Sequence, residues 1–80
     1  MQNIDSLANE LFLNISYKDI YASKSLCLQF ERDPTTEFIC RTLVDHVVGN
    51  YPVAFLLENE KINSLKEELF KLIIDSKIIS

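Results

Sequence analysis

Two cysteines and one histidine are the side chains best suited to chemistry in this sequence. A thiol-dependent enzyme needs an imidazole beside its cysteine to generate the thiolate nucleophile. Cys40 and His46 are six residues apart, and this separation turns two side chains well away from each other on one helix. Cys27 with His46 is the pair that the sequence leaves open. Because no catalytic signature surrounds either cysteine, thiol chemistry is an alternative and not our main prediction.

Composition argues against most other kinds of active site. One histidine leaves too few ligands for the usual zinc arrangements, and one glycine, Gly49, cannot build a loop whose backbone amides hold a phosphate. The sequence also lacks the spacing of oxygen ligands found in calcium loops. Glu37, Arg41 and Asp45 recur every four residues, which is typical of an ion-paired solvated helix face. We therefore expect no enzyme activity, no cofactor and no metal.

Charge argues against direct binding to nucleic acids or to anionic membranes. The chain has 12 acidic and 8 basic residues, with a net charge of −4, and no segment of it is basic. Phosphate backbones and anionic lipids are bound by clustered lysine and arginine. An acidic surface instead suits a basic protein partner. A further alternative is that this surface mimics nucleic acid and occupies a basic nucleic-acid-binding protein.

Length and cysteine usage favour a single cytoplasmic domain over residues 1–80. A chain of this length can build one hydrophobic core but not two. Its first residues lack the basic start and apolar stretch of a signal peptide, and no window approaches the roughly 20 apolar residues of a membrane span. Both cysteines lie in apolar surroundings, which is typical of buried free thiols in a reducing compartment.

Hydrophobic periodicity predicts a first helix from about Ile4 to Ile15, where apolar residues recur every three or four positions. Ser16 with Asp19 three residues later matches a capping box, which would begin another short helical turn. The final segment, 59–76, has an apolar stripe at helical spacing and predicts a long helix, with Glu67 and Lys71 at a favourable ion-pair spacing.

The boundaries of the central helix are the clearest in the sequence. Asp33 is a good N-cap, Pro34 suits the first helical position, and Gly49 followed by Asn50 indicates a helix end. These residues predict a helix over 34–48.

Two short apolar runs, 26–30 and 53–57, fit either a helix or a strand. If both are helical, the chain is all-α, a small antiparallel bundle of four to five helices. If both are strands, residues 26–57 form a βαβ unit in an α+β fold. With one glycine and two prolines, sharp turns are few, and we predict the bundle, with the second run as a short buried helix.

Several apolar residues fall outside the main stripe of their predicted helix. They exceed what one narrow helix seam can bury, and an exposed apolar patch usually marks a protein-binding or self-association surface. Tyrosines are also well suited to anchoring such contacts. The sequence therefore predicts a non-enzymatic interaction module, such as an adaptor, an inhibitor or an immunity-type protein, that binds a protein partner or itself. Val48 lies outside its stripe as well. The predicted protein-binding residues are Leu13, Tyr17, Tyr21, Phe38, Tyr51, Phe70 and Ile74.

Overall fold

The computed structural model describes residues 3–79, and within this range every regular element is helical. In chain order the elements are α1 (Ile4–Leu13), α2 (Tyr17–Phe30), α3 (Thr36–Gly49), a 3-10 helix (Pro52–Leu56) and α4 (Asn59–Ser76). The predicted all-α fold is confirmed. The βαβ alternative is wrong, because residues 26–30 are the last turns of α2 and residues 53–56 belong to the 3-10 helix.

Polar side chains begin the first two helices. Asn3 caps α1 by accepting a hydrogen bond from the backbone N–H of Ser6 at 2.7 Å. The capping box predicted at the start of α2 is present. The backbone N–H of Asp19 donates to the Ser16 hydroxyl at 3.3 Å, and the backbone N–H of Ser16 donates to an Asp19 carboxylate oxygen at 2.9 Å. With its first amides satisfied, α2 continues for 14 residues instead of one short turn.

The central helix begins two residues later than predicted. The hydroxyl of Thr35, not Asp33, accepts the hydrogen bond from the backbone N–H of Phe38, at 3.1 Å. Threonine offers the same capping chemistry as aspartate, so the sequence contains two competing caps on either side of Pro34. At the other end the helix runs one residue past the predicted 48, to Gly49, and Asn50 caps it by donating to the backbone carbonyl of His46.

The hydrophobic core lies mainly between α1, α3 and α4. The closest packing is between α1 and α4, and α3 packs on α4 from a second side. Leu65, Leu69 and Ile73 of α4 have no exposed surface. α2 packs chiefly on α3 and adds only Ser23 and Cys27 to the buried set.

The 3-10 helix corrects two predictions about burial. The run 53–57 is not buried as a unit, because Ala54 alone is fully buried while Phe55 and Leu56 are exposed. Val48 is buried in the core cluster, although its helix stripe placed it outside, and it lines one cleft with Ala54 and Leu57 of the following segment. α3 therefore has neighbours on more than one side, which a single-helix pattern cannot reveal.

Two of the ion pairs join α3 to α4. Arg41 pairs with Glu67 at 2.7 Å, and Lys66 pairs with Asp45 at 3.2 Å. Arg41 and Asp45 of the series predicted along α3 thus pair with α4 instead, and Lys71 pairs with Glu68 of its own helix, at 3.5 Å, in place of the predicted Glu67. A pair between helices depends on tertiary packing, so residue spacing could not predict it.

Within residues 3–79, no helix combines the length and the apolar character needed to cross a membrane.

Candidate protein-binding surface

The seven predicted binding residues fall into two groups in the structure. Leu13, Tyr17 and Tyr21 project into solvent, with 81%, 90% and 75% of their surface exposed. The remaining four are half-buried and pack against the core; they are Phe38, Tyr51, Phe70 and Ile74. Only the first group therefore offers most of its surface to another molecule.

Phe70 shows how an apolar residue outside the main stripe of its helix can be covered by other residues of the same chain. The guanidinium of Arg41 lies over its ring, 3.8 Å from the ring centre, and the same guanidinium pairs with Glu67. A cation over an aromatic face is an attractive contact. Phe70 is thus covered by the charged edge of α3.

One side of α2 forms an exposed apolar stripe. Tyr17, Tyr21 and Leu28 are separated by four and seven residues, which places them within about 40° of one another around the helix axis at 100° per residue. Leu28 is 58% exposed. We call these three residues the outer face of α2. Sequence reasoning missed Leu28, because its run fitted a strand as well as a helix; once α2 is known to be helical, the spacing identifies it.

A groove between α2 and α3 is a second feature that the sequence did not predict. The two helices are antiparallel, since Cys27 contacts Thr42 at one end and Asp19 contacts His46 at the other. The groove has a cavity of about 380 Å³, within the range of roughly 300–1,000 Å³ for ligand-binding clefts. Its lining is Leu26, Cys27, Phe30, Phe38, Thr42, Asp45 and His46.

The polar contact between α2 and α3 depends on Asp19. One carboxylate oxygen accepts hydrogen bonds from Ser16, and the other lies 3.1 Å from Nε2 of His46. The hydrogen bond from the Ser16 backbone N–H is the main reason that the pKa of Asp19 is lowered, and His46 adds to the effect. His46 is half-buried and also contacts Asn50, so its ring is held by polar neighbours at the edge of the core.

The cysteines are buried in separate surroundings. The Cys27 thiol donates to the Thr42 hydroxyl at 3.2 Å, and that hydroxyl donates to the carbonyl of Phe38. Cys40 is 1% exposed, and burial raises the pKa of its thiol. The imidazole of His46 is engaged with Asp19 and Asn50. This geometry does not favour a thiolate nucleophile at Cys40 and places no hydrogen bond between Cys27 and His46.

Potential metal ligands do not converge within residues 3–79. No group of three histidine, cysteine or acidic side chains there lies close enough to hold a metal ion.

An apolar cleft of about 510 Å³ adjoins the outer face of α2 at the turn after α1. Tyr17 belongs to both the cleft and the outer face, so the exposed apolar surface continues from one to the other. The cleft is lined by Phe12, Ile15, Ser16, Tyr17, Ile20 and Ile78.

No protein-family model, curated protein or solved structure matches this chain. Function is therefore inferred from the geometry of the described residues.

Proposed function

We propose that this protein is a non-enzymatic interaction module that binds a protein partner through the outer face of α2. The observation that supports the proposal best is the exposure of Tyr17, Tyr21 and Leu28 on one side of a helix that buries only Ser23 and Cys27. Burying apolar surface is the main favourable term in protein association, and this helix leaves an unusual amount of it in solvent.

The size of the exposed surface supports the same proposal. A tyrosine can bury on the order of 150–250 Å², so the two tyrosines alone expose roughly 300 Å² or more. Leu13 and Leu28 add to this area. The largest apolar patch on a typical monomer measures about 300–600 Å² and is often functional.

The chemistry of the exposed residues also suits a binding site. Tyrosine is enriched at interfaces because it supplies a rigid apolar ring and a hydroxyl that can form hydrogen bonds. Lys24 lies on the same side of α2, between Tyr21 and Leu28, and Lys18 follows Tyr17, so charged groups accompany the apolar side chains of this face. The two free buried cysteines support the predicted cytoplasmic location, where thiols stay reduced.

Site-specific crosslinking followed by titration tests the proposal. A photoreactive phenylalanine analogue at Tyr21 should crosslink a protein in the native host, whereas the same analogue at exposed Lys61 on α4 should not. The crosslinked protein is then identified, purified and titrated against the wild type, Tyr21→Ser, Leu28→Ser and the control Lys61→Ser. We expect the two α2 variants to weaken binding about tenfold or more, or about 1.4 kcal/mol.

Two outcomes of that experiment are decisive. If the α2 variants bind the purified partner as tightly as the wild type does, the outer face is not the binding site and the proposal fails. If the crosslinked protein is a second copy of the chain, light scattering should show a dimer that Tyr21→Ser dissociates, and the partner is then the protein itself.

A further inference from the structure

The groove between α2 and α3 has an apolar centre that the protomer leaves uncovered. Phe30 is 74% exposed, Leu26 is also exposed, and half-buried Phe38 faces them from α3. Leu26 and Phe30 lie on a different side of α2 from its outer face, because they are about 140–220° around the helix from the three residues of that face.

The charged residues that line the groove are acidic at both ends. Beyond Phe38 the groove continues into a smaller cleft of about 150 Å³, lined by Glu31, Asp33, Thr35 and Phe38. At the opposite end lie Asp45 and His46. The lining of both clefts contains no lysine or arginine.

The basic residues nearest these acidic positions reduce their negative charge but do not line the two clefts. Lys66 pairs with one carboxylate oxygen of Asp45 at 3.2 Å and offsets part of its charge, while the Asp45 side chain stays 68% exposed to a further cation. His46 contacts Asp19. Arg32 lies between Glu31 and Asp33 in sequence but does not line the cleft.

From this arrangement we infer that the α2–α3 groove binds a basic amphipathic helix of a partner protein, with its apolar residues on Leu26, Phe30 and Phe38 and its basic residues at the two acidic ends. Two antiparallel helices with an apolar seam form the kind of groove in which a third helix can lie. Opposite charges at both ends would set its position and discourage acidic segments. The groove is a second site, separate from the outer face of α2, so the inference goes beyond the proposed function.

The dimensions of the groove define the segment that fits it. The acidic ends, near Thr35 and Asp45, are separated by ten residues of α3, or about 15 Å at 1.5 Å per residue. A partner helix would therefore place its basic residues about three turns apart, with apolar residues three or four positions apart between them.

The test uses two synthetic alanine-rich peptides of about 20 residues, because isolated helices shorter than about 12–15 residues are marginal in water. Both contain the same leucine stripe; one is flanked by lysines and the other by glutamates. Fluorescence anisotropy with the full-length protein should give about tenfold tighter binding for the lysine-flanked peptide, and the difference should shrink with added salt.

Matched variants locate the binding site. Phe30→Ala should weaken binding of the lysine-flanked peptide about fivefold or more, whereas Phe55→Ala, the same change at an equally exposed position of the 3-10 helix, should leave it within about twofold. Leu28→Ala reports separately on whether the peptide uses the outer face of α2 instead. The double variant Glu31→Gln with Asp33→Asn should reduce the preference for lysine over glutamate. All of these positions are exposed, and circular dichroism checks that each variant is folded.

Three results would overturn the inference. These are equal binding of both peptides, absence of binding by either peptide, and insensitivity to Phe30→Ala. If Leu28→Ala weakens the peptide and Phe30→Ala does not, the outer face remains a binding surface and only the groove is excluded. A dimer that Phe30→Ala dissociates would mean that a second copy fills the groove, which also excludes the basic partner.

Discussion

α2 and α4 have similar amounts of apolar sequence but use it differently. α4 places Leu65, Leu69 and Ile73 on one side, where all three are fully buried between α1 and α3. α2 buries Ser23 and Cys27 and leaves most of its large apolar residues exposed. Hydrophobic packing therefore determines the position of α4. The position of α2 depends more on polar contacts, namely its capping box and the hydrogen bonds of Asp19 with His46 and of Cys27 with Thr42. A helix held in this way leaves apolar surface in solvent.

The largest expected difference between the two helices is in the effect of removing a leucine side chain. Leu69→Ala should lower the free energy of unfolding by about 2–5 kcal/mol, because it opens a cavity in a fully buried site. Since a domain of this size has only about 3–5 kcal/mol to lose, the variant should be partly or wholly unfolded. The matched control, Leu28→Ala in α2, should change the unfolding free energy by less than about 0.5 kcal/mol. Urea unfolding measured by circular dichroism compares them, and equal losses would contradict the contrast between the helices.

The second expected difference is in local opening of the native state. Amides of α2 should exchange with deuterium about tenfold or more faster than those of the middle of α4, because fewer buried apolar contacts hold α2 in place. Hydrogen exchange followed by NMR measures both helices in one sample. Equal protection of the backbone amides of α2, α3 and α4 from exchange would contradict the prediction, because it would show that the domain opens only as a whole.

The third prediction concerns the cap that begins α2. Ser16→Ala removes the hydroxyl that accepts from the Asp19 backbone N–H, and it should cost about 1 kcal/mol of stability. The same substitution at exposed Ser64 inside α4 should be neutral or slightly stabilising, because alanine is the better helix former. Thermal or urea unfolding checks the pair. If both variants behave alike, the capping box contributes little to holding α2.

The smallest expected effect is the part of the pH dependence of folding stability that is due to Asp19. Its pKa in the folded protein is lowered from the ordinary 3.8, chiefly by the backbone hydrogen bond from Ser16. Its carboxylate therefore stabilises the fold fully above that ordinary value, and this contribution is lost as the pH falls through the lower folded-state pKa.

Asp19→Asn should reveal this dependence. The variant should be less stable than the wild type at neutral pH, and the difference should shrink with acidification. Urea unfolding between about pH 3 and pH 6 measures the difference. A difference that stays constant or grows towards acid would contradict the role assigned to the Asp19 carboxylate.

Local sequence signals predicted α1, α3 and α4 to within two residues at each end, but α2 only as a short helical turn. The ends of α4 were predicted at 59 and 76 from composition and periodicity, and the capping box at Ser16 and Asp19 was identified from a three-residue spacing. The start of α3 was wrong by two residues, because Thr35 and Asp33 are chemically equivalent caps. The run 26–30 could not be assigned, because five residues contain too little periodicity to separate a helix from a strand.

The candidate binding surface was predicted only in part. Leu13, Tyr17 and Tyr21 are exposed, whereas Phe70 and Ile74 pack against the core. The α2–α3 groove was not predicted at all. A sequence pattern describes one helix at a time, but the exposure of a side chain depends on which other helix lies beside it.

The sequence by itself determined the helices, the acidic balance and the lack of catalytic or metal-binding motifs, because capping, periodicity and composition act within a few residues or over the whole chain. The tertiary structure alone decided that α4 would be buried and α2 left open, that Arg41 would cover Phe70, and that Leu26, Phe30 and Phe38 would form an uncovered groove. Those outcomes depend on contacts between residues distant in the chain, where burial is shared among helices and no single segment specifies it.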